Sequence, residues 1–519
     1  MNFCQWSSFS IRLSNSAETY KMASLVKKYN HQKLLGQVYT PEHIVDKILD
    51  LIDFQGPQVL GKAILDPSCG DGQFLVRIVD RIIKEAPSEE IEHYLSFVYG
   101  WDIDPAAVDA CVANLNKLIE PFEISVNWNI SVCDALEHGL DSSRNGKNPK
   151  FAYIVGNPPY IRIQHLDEDR RRFIQNNFNF CRRGSTDIYI AFIELSLSLI
   201  STTGLVGLIT PNTFLYTDAA DILRQFLRNN FTIRHITNYG TIQVFENATT
   251  YSAITILSLS KSTSFIYEEA LTSYDSISKK FDTTSLPVTG GWKLSASKDI
   301  SETGTRLKDI CSIHVGLTTL CDKAYFFSIN AIDDQFVIAN TRLLGKVKME
   351  AGILRPIIKA SKYKHHDQQL DEFALFPYRE VDGENKIIPE SDLRREFPLA
   401  YGYLRRIKHI LDMRDNGKFN PVSWYAYGRT QGINLPKRKK ILFSPMNKYP
   451  NFVLNSRDDV LFYSGYCIIT DYDPDSMLRQ LNSDEMYDYI SIASRDFRGG
   501  WKAYNKTVLQ NFPVRLTLD

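Results

Sequence analysis

The sequence lacks paired cysteines. Its eight cysteines are scattered along 519 residues, and no two of them form a C-x-x-C pair. Zinc sites usually need such pairs, and a chain of this length can build cores without a disulfide framework. We therefore predict reduced thiols in an intracellular protein, and no metal site.

The sequence also lacks a net charge and a long uninterrupted apolar run. Its most apolar stretch, residues 191–210, carries Glu194 and is broken at Gly204, which predicts a buried helix followed by a core strand. No signal peptide is evident, so we expect a cytoplasmic protein with no membrane partner. The 60 basic and 60 acidic residues cancel. This balance neither favours nor excludes nucleic acid, because acidic surface elsewhere can offset a basic cleft.

Two kinds of segment alternate between residues 36 and 259. Short apolar runs at 63–65, 97–101, 153–155 and 204–209 alternate with helical patterns at 74–83, 106–118, 188–200 and 219–229. This alternation is typical of a doubly wound, mostly parallel α/β sheet flanked by helices. Such sheets bind ligands at the carboxyl ends of their strands. The residues that follow each apolar run are therefore the candidate site.

The alternation stops after residue 260. Residues 285–303, rich in Ser, Thr and Gly, predict a domain boundary. Beyond it the chain is irregular, with many Tyr and Phe and clustered Lys and Arg, which predicts an α+β domain. We predict an N-terminal extension over residues 1–35, an α/β domain over 36–290 and a second domain over 300–519.

Residues 64–74 predict a strand, a tight glycine turn and the start of a helix. Gly70 and Gly72 would let backbone amides approach a ligand closely. The spacing differs from the dinucleotide fingerprint GxGxxG. Asp66, which precedes the turn, suits a ligand with an ammonium group better than one with a pyrophosphate. A purely structural turn explains the two glycines about equally well.

Carboxylates follow the next two predicted strands, residues 97–101 and residues 130–133. Asp102 is placed to accept hydrogen bonds from ribose hydroxyls. Either Asp102 or Asp104 could cap the helix that begins near Pro105, and we assign the ribose role to Asp102 and the cap to Asp104. Asp134 is placed to accept from the amine of a bound adenine, although an ordinary loop aspartate fits there nearly as well. Together with Asp66, these carboxylates predict a ligand that contains a nucleoside.

The fourth predicted strand ends in Asn157-Pro158-Pro159-Tyr160. Two prolines make a stiff turn without N–H donors, which leaves carbonyls free to accept. An adenine N6 amine is a poor nucleophile, because its lone pair is delocalised into the ring. The Asn157 side-chain oxygen and the Pro158 carbonyl would accept both N6 hydrogens and favour a tetrahedral nitrogen, while Tyr160 stacks on the purine. A simple proline turn is the alternative.

In order and content these motifs resemble the gamma-type N6-adenine DNA methyltransferases of bacterial restriction–modification systems. The resemblance is strong over residues 36–259, including a match of residues 36–41 to the family's GxxYTP motif, and weak beyond. It implies a class I S-adenosylmethionine-dependent methyltransferase fold, Rossmann-like, followed by a C-terminal target-recognition domain. It also implies a cytoplasmic, nucleoid-associated bacterial protein.

The resemblance assigns two sets of site residues. Phe245 would give the target adenine a second aromatic face, although an ordinary core phenylalanine fits that position almost as well. Residues 184–189 resemble the motif that closes the pocket behind the cofactor. The S-adenosyl-L-methionine site comprises Tyr39, Thr40, Pro41, Asp66, Pro67, Ser68, Gly70, Gly72, Asp102, Ile103, Asp134, Ala135 and Asn157. The catalytic set comprises Asn157, Pro158, Pro159, Tyr160 and Phe245.

The implied partner is double-stranded DNA with a short specific recognition sequence. A base inside a duplex cannot reach such a pocket, so the resemblance implies base flipping. A separate cognate restriction endonuclease is a further expected partner, because no nuclease pattern is recognisable in this sequence. Methylation of RNA, or of a protein glutamine, by the same Asn-Pro-Pro-Tyr chemistry is the main alternative. An inactive DNA-binding subunit is disfavoured by the intact motifs.

Basic stretches with aromatic neighbours suggest where DNA binds. Residues 314–327 and 499–506 resemble the opening and closing segments of recognition domains. Between them, residues 359–364, 405–408 and 436–440 are basic, and Trp424 lies among aromatic residues, a composition that suits phosphate tracking. The arginine runs 170–172 and 182–183 are better candidates, because a flipped base brings the DNA backbone close to the pocket mouth.

Overall fold

The computed structural model describes residues 39–146, 149–245, 250–298, 303–332, 335–366, 368–369, 371–494, 496–497 and 499–515. The chain divides into two compact units, one ending at Ser297 and the other beginning at Lys298. The predicted extension, and residues 36–38 of the predicted GxxYTP segment, lie outside the described residues. Within the described ranges, no helix is long and apolar enough to span a bilayer.

The first unit alternates strands and helices, as the sequence pattern predicts. Its strands are β1 Ile64–Asp66, β2 Val98–Asp102, β3 Asn129–Val132, β4 Phe151–Gly156, β5 Ile200–Pro211, β6 Ile233–Asn238, β7 Ser252–Leu257, β8 Ser264–Ala270 and β9 Ser276–Asp282. Its helices are α1 Glu42–Leu51, α2 Gln73–Glu85, α3 Ile91–Leu95, α4 Pro105–Ile119, α5 Ala135–Asn145, α6 Glu168–Asn177, α7 Tyr189–Leu199 and α8 Asp221–Asn229.

These nine strands form one sheet in the order β3-β2-β1-β4-β5-β7-β6-β8-β9. The first five strands are mutually parallel, and β7 runs antiparallel between β5 and β6. The chain builds outward from β1 to β3 and then returns to place β4 on the other side of β1. The strand order therefore reverses between β1 and β4, which is where such sheets bind ligands. The predicted doubly wound, mostly parallel α/β fold is confirmed.

Helices cover both faces of this sheet. Adjacent residues of β1 point to opposite faces: Ile64 packs in the core under α1, α2 and α4, and Leu65 in the core under α5 and α7. Helix α2 buries Phe74, Leu75 and Ile78 at helical spacing. Helix α7 is buried on nearly all sides, and β5 follows it directly. The apolar stretch 191–210 is thus a buried helix and a core strand, as predicted.

The second unit combines short strands and helices. Its strands are β10 Thr305–Arg306, β11 Cys311–Val315, β12 Phe326–Ile332, β13 Phe336–Thr341, β14 Gly345–Glu350, β15 Leu354–Lys359, β16 Glu372–Leu375, β17 Tyr378–Val381, β18 Glu384–Ile387, β19 Lys440–Phe443, β20 Met446–Asn447, β21 Phe452–Asn455, β22 Leu461–Tyr463, β23 Tyr466–Thr470, β24 Asp496–Phe497, β25 Trp501–Ala503 and β26 Pro513–Val514. Its helices are α9 Leu307–Ile310, α10 Asp322–Tyr325, α11 Glu390–Glu396, α12 Pro398–Arg406, α13 Lys408–Asp412, α14 Pro474–Leu481, α15 Asp484–Ala493 and α16 Lys506–Leu509. A further helical turn, Arg414–Gly417, is interrupted by left-handed residues.

Two sheets carry the cores of this unit. The larger has the order β14-β13-β12-β16-β15-β22, and the smaller β11-β23-β19-β21. Helices α12 and α13 pack their apolar side chains, among them Tyr403, Leu404 and Leu411, into the core of the larger sheet. Helices α14 and α15 pack against the smaller sheet. The unit is therefore an α+β arrangement, the fold class predicted for this part of the chain.

A buried carboxylate ties α1 to the far edge of the first unit's sheet. Glu268 on β8 accepts hydrogen bonds from Lys47 Nζ of α1 at 2.6 Å and from Thr237 Oγ1 at 2.6 Å. His235 Nε2 lies 2.9 Å from the same carboxylate, and Ser276 also donates to it. Burial raises the pKa of Glu268, but these partners outweigh burial and hold it well below its ordinary value.

Replacing Glu268 with Gln should therefore lower stability in a pH-dependent way. A depressed folded-state pKa stabilises the fold above the unfolded pKa, and this stabilisation is lost as the pH falls through the folded pKa. We expect Glu268→Gln to lower the free energy of unfolding by about 2 kcal/mol at pH 7, with a smaller difference at pH 3. Urea unfolding at both pH values measures this, and the exposed Glu89→Gln is the control. An equal loss at both pH values would contradict the assignment.

Candidate active site

A cavity of about 370 Å³ lies at the carboxyl ends of β1, β2 and β4. Its volume is in the range of small-molecule sites. Twelve of the predicted site residues line it: Tyr39, Thr40, Asp66, Pro67, Ser68, Gly70, Asp102, Ile103, Asp134, Ala135, Asn157 and Pro159. Segments up to 120 residues apart in sequence therefore meet at the point of strand reversal.

Asp66 forms the floor of this cavity. It ends β1 and is 1% exposed, and it accepts a hydrogen bond from Ser68 N at 3.0 Å. Burial is the main cause that raises its pKa to about 8; hydrogen bonds from Ser68 lower the pKa, and the nearby Asp102 carboxylate raises it. Asp66 therefore holds a proton more readily than an ordinary aspartate. A bound cation would shift Asp66 towards its charged form.

Asp102 joins the glycine turn to the end of β2. Its carboxylate accepts from Gly70 N and from Asp104 N, both at 2.9 Å. Carboxylate oxygens have further lone pairs, so Asp102 can still accept from a ligand hydroxyl. Asp104 caps α4 by accepting from Ala106 N at 3.0 Å. Of the two aspartates that could cap α4, Asp104 is therefore the cap.

The two glycines of the first turn have different surroundings. Gly70 adopts φ +54° and lines the cavity. Gly72 lies outside the cavity lining, and a Cβ at this position would be 2.8 Å from Cys111 Sγ on α4. The predicted approach of backbone to ligand therefore fits Gly70, whereas Gly72 allows α2 and α4 to pack closely.

Asp134 is held in two ways. It caps α5 by accepting from Leu136 N at 3.0 Å, and it forms an ion pair with Arg170 of α6, whose Nη2 lies 2.6 Å from Oδ1. Arg170 also pairs with Glu137 at 3.0 Å and lines the cavity itself. Arg170, one of the arginines that the sequence offers as DNA contacts, is therefore paired with two carboxylates in the cavity wall.

Asn157 follows β4 at the edge of the cavity. Its Nδ2 donates to Thr40 Oγ1 at 3.1 Å, across 117 positions of sequence. Thr40 is 4% exposed, so the hydroxyl is shielded from competing water. In this contact the amide nitrogen of Asn157 faces the Thr40 hydroxyl.

Tyr160 and Phe245 form an edge-to-face pair away from the cavity lining. Their ring centroids lie 6.3 Å apart with an interplanar angle of 61°. Tyr160 also donates its hydroxyl to Ile209 O at 3.1 Å, and Phe245 is buried. The structure brings the two predicted aromatic residues together. Predicted site residues outside the cavity lining are Pro41, Gly72, Pro158, Tyr160 and Phe245.

Sequence reasoning missed part of the cavity wall. Ile161, Leu166, Ile188 and Phe192 supply an apolar side. Ile188 N donates to Ile161 O at 2.8 Å, which joins the turn after Asn157 to the start of α7. The residues around 188 resembled a pocket-closing motif, but Ile161 and Leu166 carry no sequence signal beyond being apolar.

One predicted DNA-contacting run is partly internal. Lys440 on β19 is 2% exposed and donates to the carbonyls of Arg438 and Asp458, both at 2.9 Å. Burial lowers its pKa. The prediction that residues 436–440 form a phosphate-tracking surface is therefore wrong for Lys440, because β19 lies inside its sheet and is buried along its whole length.

The sheet order, with an antiparallel β7 between β5 and β6, defines a class I methyltransferase fold. Residues 96–245 match the family model described as Eco57I restriction-modification methylase. RM.Eco57I of Escherichia coli, a type II restriction enzyme and methyltransferase, is 25% identical over 92% of this chain. The match covers 56% of RM.Eco57I, so this chain spans little more than half of that protein's length.

Two further relatives are matched over most of their length. The type II methyltransferase M.BstVI of Geobacillus stearothermophilus is 26% identical, with 83% of this chain and 80% of that protein covered. M.BanIII of Aneurinibacillus aneurinilyticus is 24% identical, with 93% and 90% covered. The type IIL restriction-modification enzyme MmeI, solved with DNA, shares the fold with a TM-score of 0.56 and 13% identity, covering 95% of this chain and 67% of that one. The predicted resemblance to restriction–modification methyltransferases is confirmed.

Arg170→Gln should weaken cofactor binding. The change removes the cation that holds Asp134 in place but keeps a polar side chain of similar length. Because a hydrogen bond to a charged group is worth about 1.5–3 kcal/mol, we expect the Kd of S-adenosyl-L-methionine to rise at least about tenfold by isothermal titration calorimetry. Arg172→Gln, which breaks an exposed pair with Glu168 on the same helix, is the control. Equal affinities for the two variants would show that Arg170 does not support the site.

Proposed function

We propose that this protein is a site-specific DNA methyltransferase that transfers a methyl group from S-adenosyl-L-methionine to the N6 amine of a flipped adenine. The observation that supports this most is the position of Asn157. It follows β4 directly, lines the cavity and is held by Thr40. An amide oriented in this way is an acceptor for an amine substrate.

The side chains that line the cavity are chemically suited to S-adenosyl-L-methionine. Five aspartates line it, and three of them, Asp66, Asp102 and Asp134, lie at or just after the ends of strands. The pKa of Asp66 is raised in the protein alone. A cationic group of the ligand at that end of the cavity would lower this pKa and pair with the ionised carboxylate. Asp102 would accept from ribose hydroxyls, and Asp134 from the adenine amine. When bound, the cofactor supplies an electrophilic methyl group on a sulfonium.

The chain's own residues would prepare the amine. The Asn157 Oδ1 and the Pro158 carbonyl accept its two hydrogens, which keeps the nitrogen lone pair out of the ring and aimed at the methyl group. Tyr160 provides a face for the purine, and Phe245, which contacts its ring, supports that position. No residue need remove a proton before transfer, because the methylated nitrogen is itself strongly acidic.

The second unit is proposed as the target-recognition domain for double-stranded DNA. M.BstVI and M.BanIII, whose names describe type II methyltransferases, align with this chain through both units. A short specific recognition sequence, and a separate cognate restriction endonuclease that cuts unmodified sites, belong to the same proposal.

Asn157→Ala should abolish methylation and leave cofactor binding intact. We expect long-read sequencing of DNA from cells expressing the wild type to show N6-methyladenine in one short motif, and the variant to reduce it at least about 100-fold, because an acceptor for the reacting amine is lost. The surface variant Asn230→Ala is the control. Cofactor titration should show that all three proteins still bind S-adenosyl-L-methionine, with a change in Kd for Asn157→Ala far smaller than its loss of methylation.

Other outcomes of that experiment reject parts of the proposal. Modified cytosine in the motif would reject the adenine assignment. Motif methylation that survives Asn157→Ala would reject the role of Asn157. Unmodified DNA from cells with folded, cofactor-binding wild type would move the proposal to RNA or a protein glutamine as the substrate.

Thr40 should act as a positioning residue for Asn157. Thr40→Val removes the hydroxyl that accepts from the Asn157 amide at almost constant volume, and Thr40→Ser keeps it. We expect Thr40→Val to lower kcat for DNA methylation about tenfold and Thr40→Ser to restore it, with similar KM for DNA in each variant. A thermal unfolding scan checks that both fold. A loss in Thr40→Ser as large as in Thr40→Val would reject the hydrogen bond as the cause.

A further inference from the structure

An exposed apolar loop in the second unit has no role in the site described above. Over residues 413–422, Phe419 is 88% exposed, Met413 77% and Val422 50%. Aromatic side chains normally bury most of their surface. Three large apolar side chains exposed together mark a surface that contacts something.

The loop is firmly anchored at its base. Arg414 is 8% exposed, and its guanidinium donates to the carbonyls of Leu411 at 2.9 Å, Trp424 at 2.8 Å and Ala426 at 2.8 Å. It also donates to Tyr325 Oη at 3.2 Å. A guanidinium with its donors satisfied inside the protein fixes both ends of the segment.

The tip of the loop is fixed too. Asn420, next to Phe419, donates to Tyr427 O at 3.0 Å and accepts from Val422 N at 3.0 Å. Asp415 and Asn416 adopt φ of +50° and +59°, a left-handed conformation that aspartate and asparagine tolerate better than most residues. Because Arg414 and Asn420 fix the segment on both sides of Phe419, its exposure does not come from a loose chain.

The surroundings of the loop are basic and aromatic. A pocket of about 500 Å³ is lined by Phe419 and Trp424 together with four basic side chains and two carboxylates. The basic residues are Lys408, Arg414, Lys418 and Arg429, and the acidic ones are Asp412 and Asp415. Lys408 also lies 5.5 Å from the Trp424 ring centroid. Within this pocket Lys408 pairs with Asp412 at 2.6 Å and Arg429 with Asp415 at 3.1 Å. The exposed Phe419 ring beside Lys418, with Arg429 close by, matches a planar base next to phosphates.

We infer that the loop of residues 413–422 contacts DNA bases directly, with Phe419 stacked on a base or inserted at a base step and Lys418 and Arg429 against neighbouring phosphates. Because the loop is already held in place by the protein, its apolar side chain can unstack two neighbouring base pairs without first becoming ordered. The inference rests on the proposed function, because it takes double-stranded DNA as the partner.

The test uses the full-length protein and a duplex carrying the motif found by sequencing. Phe419→Ala should raise the Kd for this duplex at least about fivefold in fluorescence anisotropy, because one base–aromatic contact is lost. Phe419→Trp should keep the affinity, and its added fluorescence should be quenched by the duplex. The matched control is Tyr274, an 83% exposed aromatic residue of the first unit, changed to Ala and to Trp.

The outcomes separate the two proposals. If the wild type methylates and binds the duplex but Phe419→Ala binds equally well, the loop inference is overturned and the proposed function stands. Quenching of Phe419→Trp no greater than that of Tyr274→Trp would also overturn it. If the folded wild type neither binds nor methylates DNA, both proposals fail.

Discussion

The candidate site depends on the close parallel pairing of β1 with β4. Leu65 pairs with Ile154, so Asp66 and Gly156 reach the same edge of the sheet together. A Cβ on residue 156 would lie 2.6 Å from Asp66 Oδ1. Only a glycine lets the strand that delivers Asn157 pass this close to the buried carboxyl of Asp66.

A short chain of hydrogen bonds extends this edge outward to β2 and β3. Asp102 accepts from Gly70 N, and its own carbonyl accepts from Cys133 N at 2.8 Å. Asp134 follows directly and is held by Arg170. Asp102 and Asp134 are therefore both oriented by neighbouring elements, so a ligand would meet these groups already in place.

Two buried ionisable side chains, Asp66 and Arg414, have different surroundings. In the first unit, Asp66 is buried beside a second carboxylate, and its pKa rises. In the second unit, Arg414 is buried among carbonyls that satisfy its donors. The first arrangement leaves a group ready to respond to a bound cation, and the second fixes a loop. Asp66, buried without a charged partner, belongs to the candidate site. Arg414, buried with its donors hydrogen-bonded, supports a loop.

Much of the first unit was predictable, because its information is local. Alternating apolar runs and amphipathic segments predict the doubly wound sheet, and the residues after each run are those that meet at its carboxyl edge. Asp102, Asp134 and Asn157 could be named for that reason. Phe245 could be named only by resemblance. Its contact with Tyr160 joins two loop residues that lie far apart in the chain, so neither local sequence predicts it.

The elements, their order and the residue types at the strand ends follow from local sequence patterns, because hydrophobic period and turn chemistry act over a few neighbours. The partner of each polar group depends instead on how the chain folds. Folding paired Arg170 with Asp134, Thr40 with Asn157 and Gly72 with Cys111, and it turned Lys440 inward. These outcomes depend on contacts between residues far apart in the chain, and no local pattern specifies a distance or an orientation across the fold.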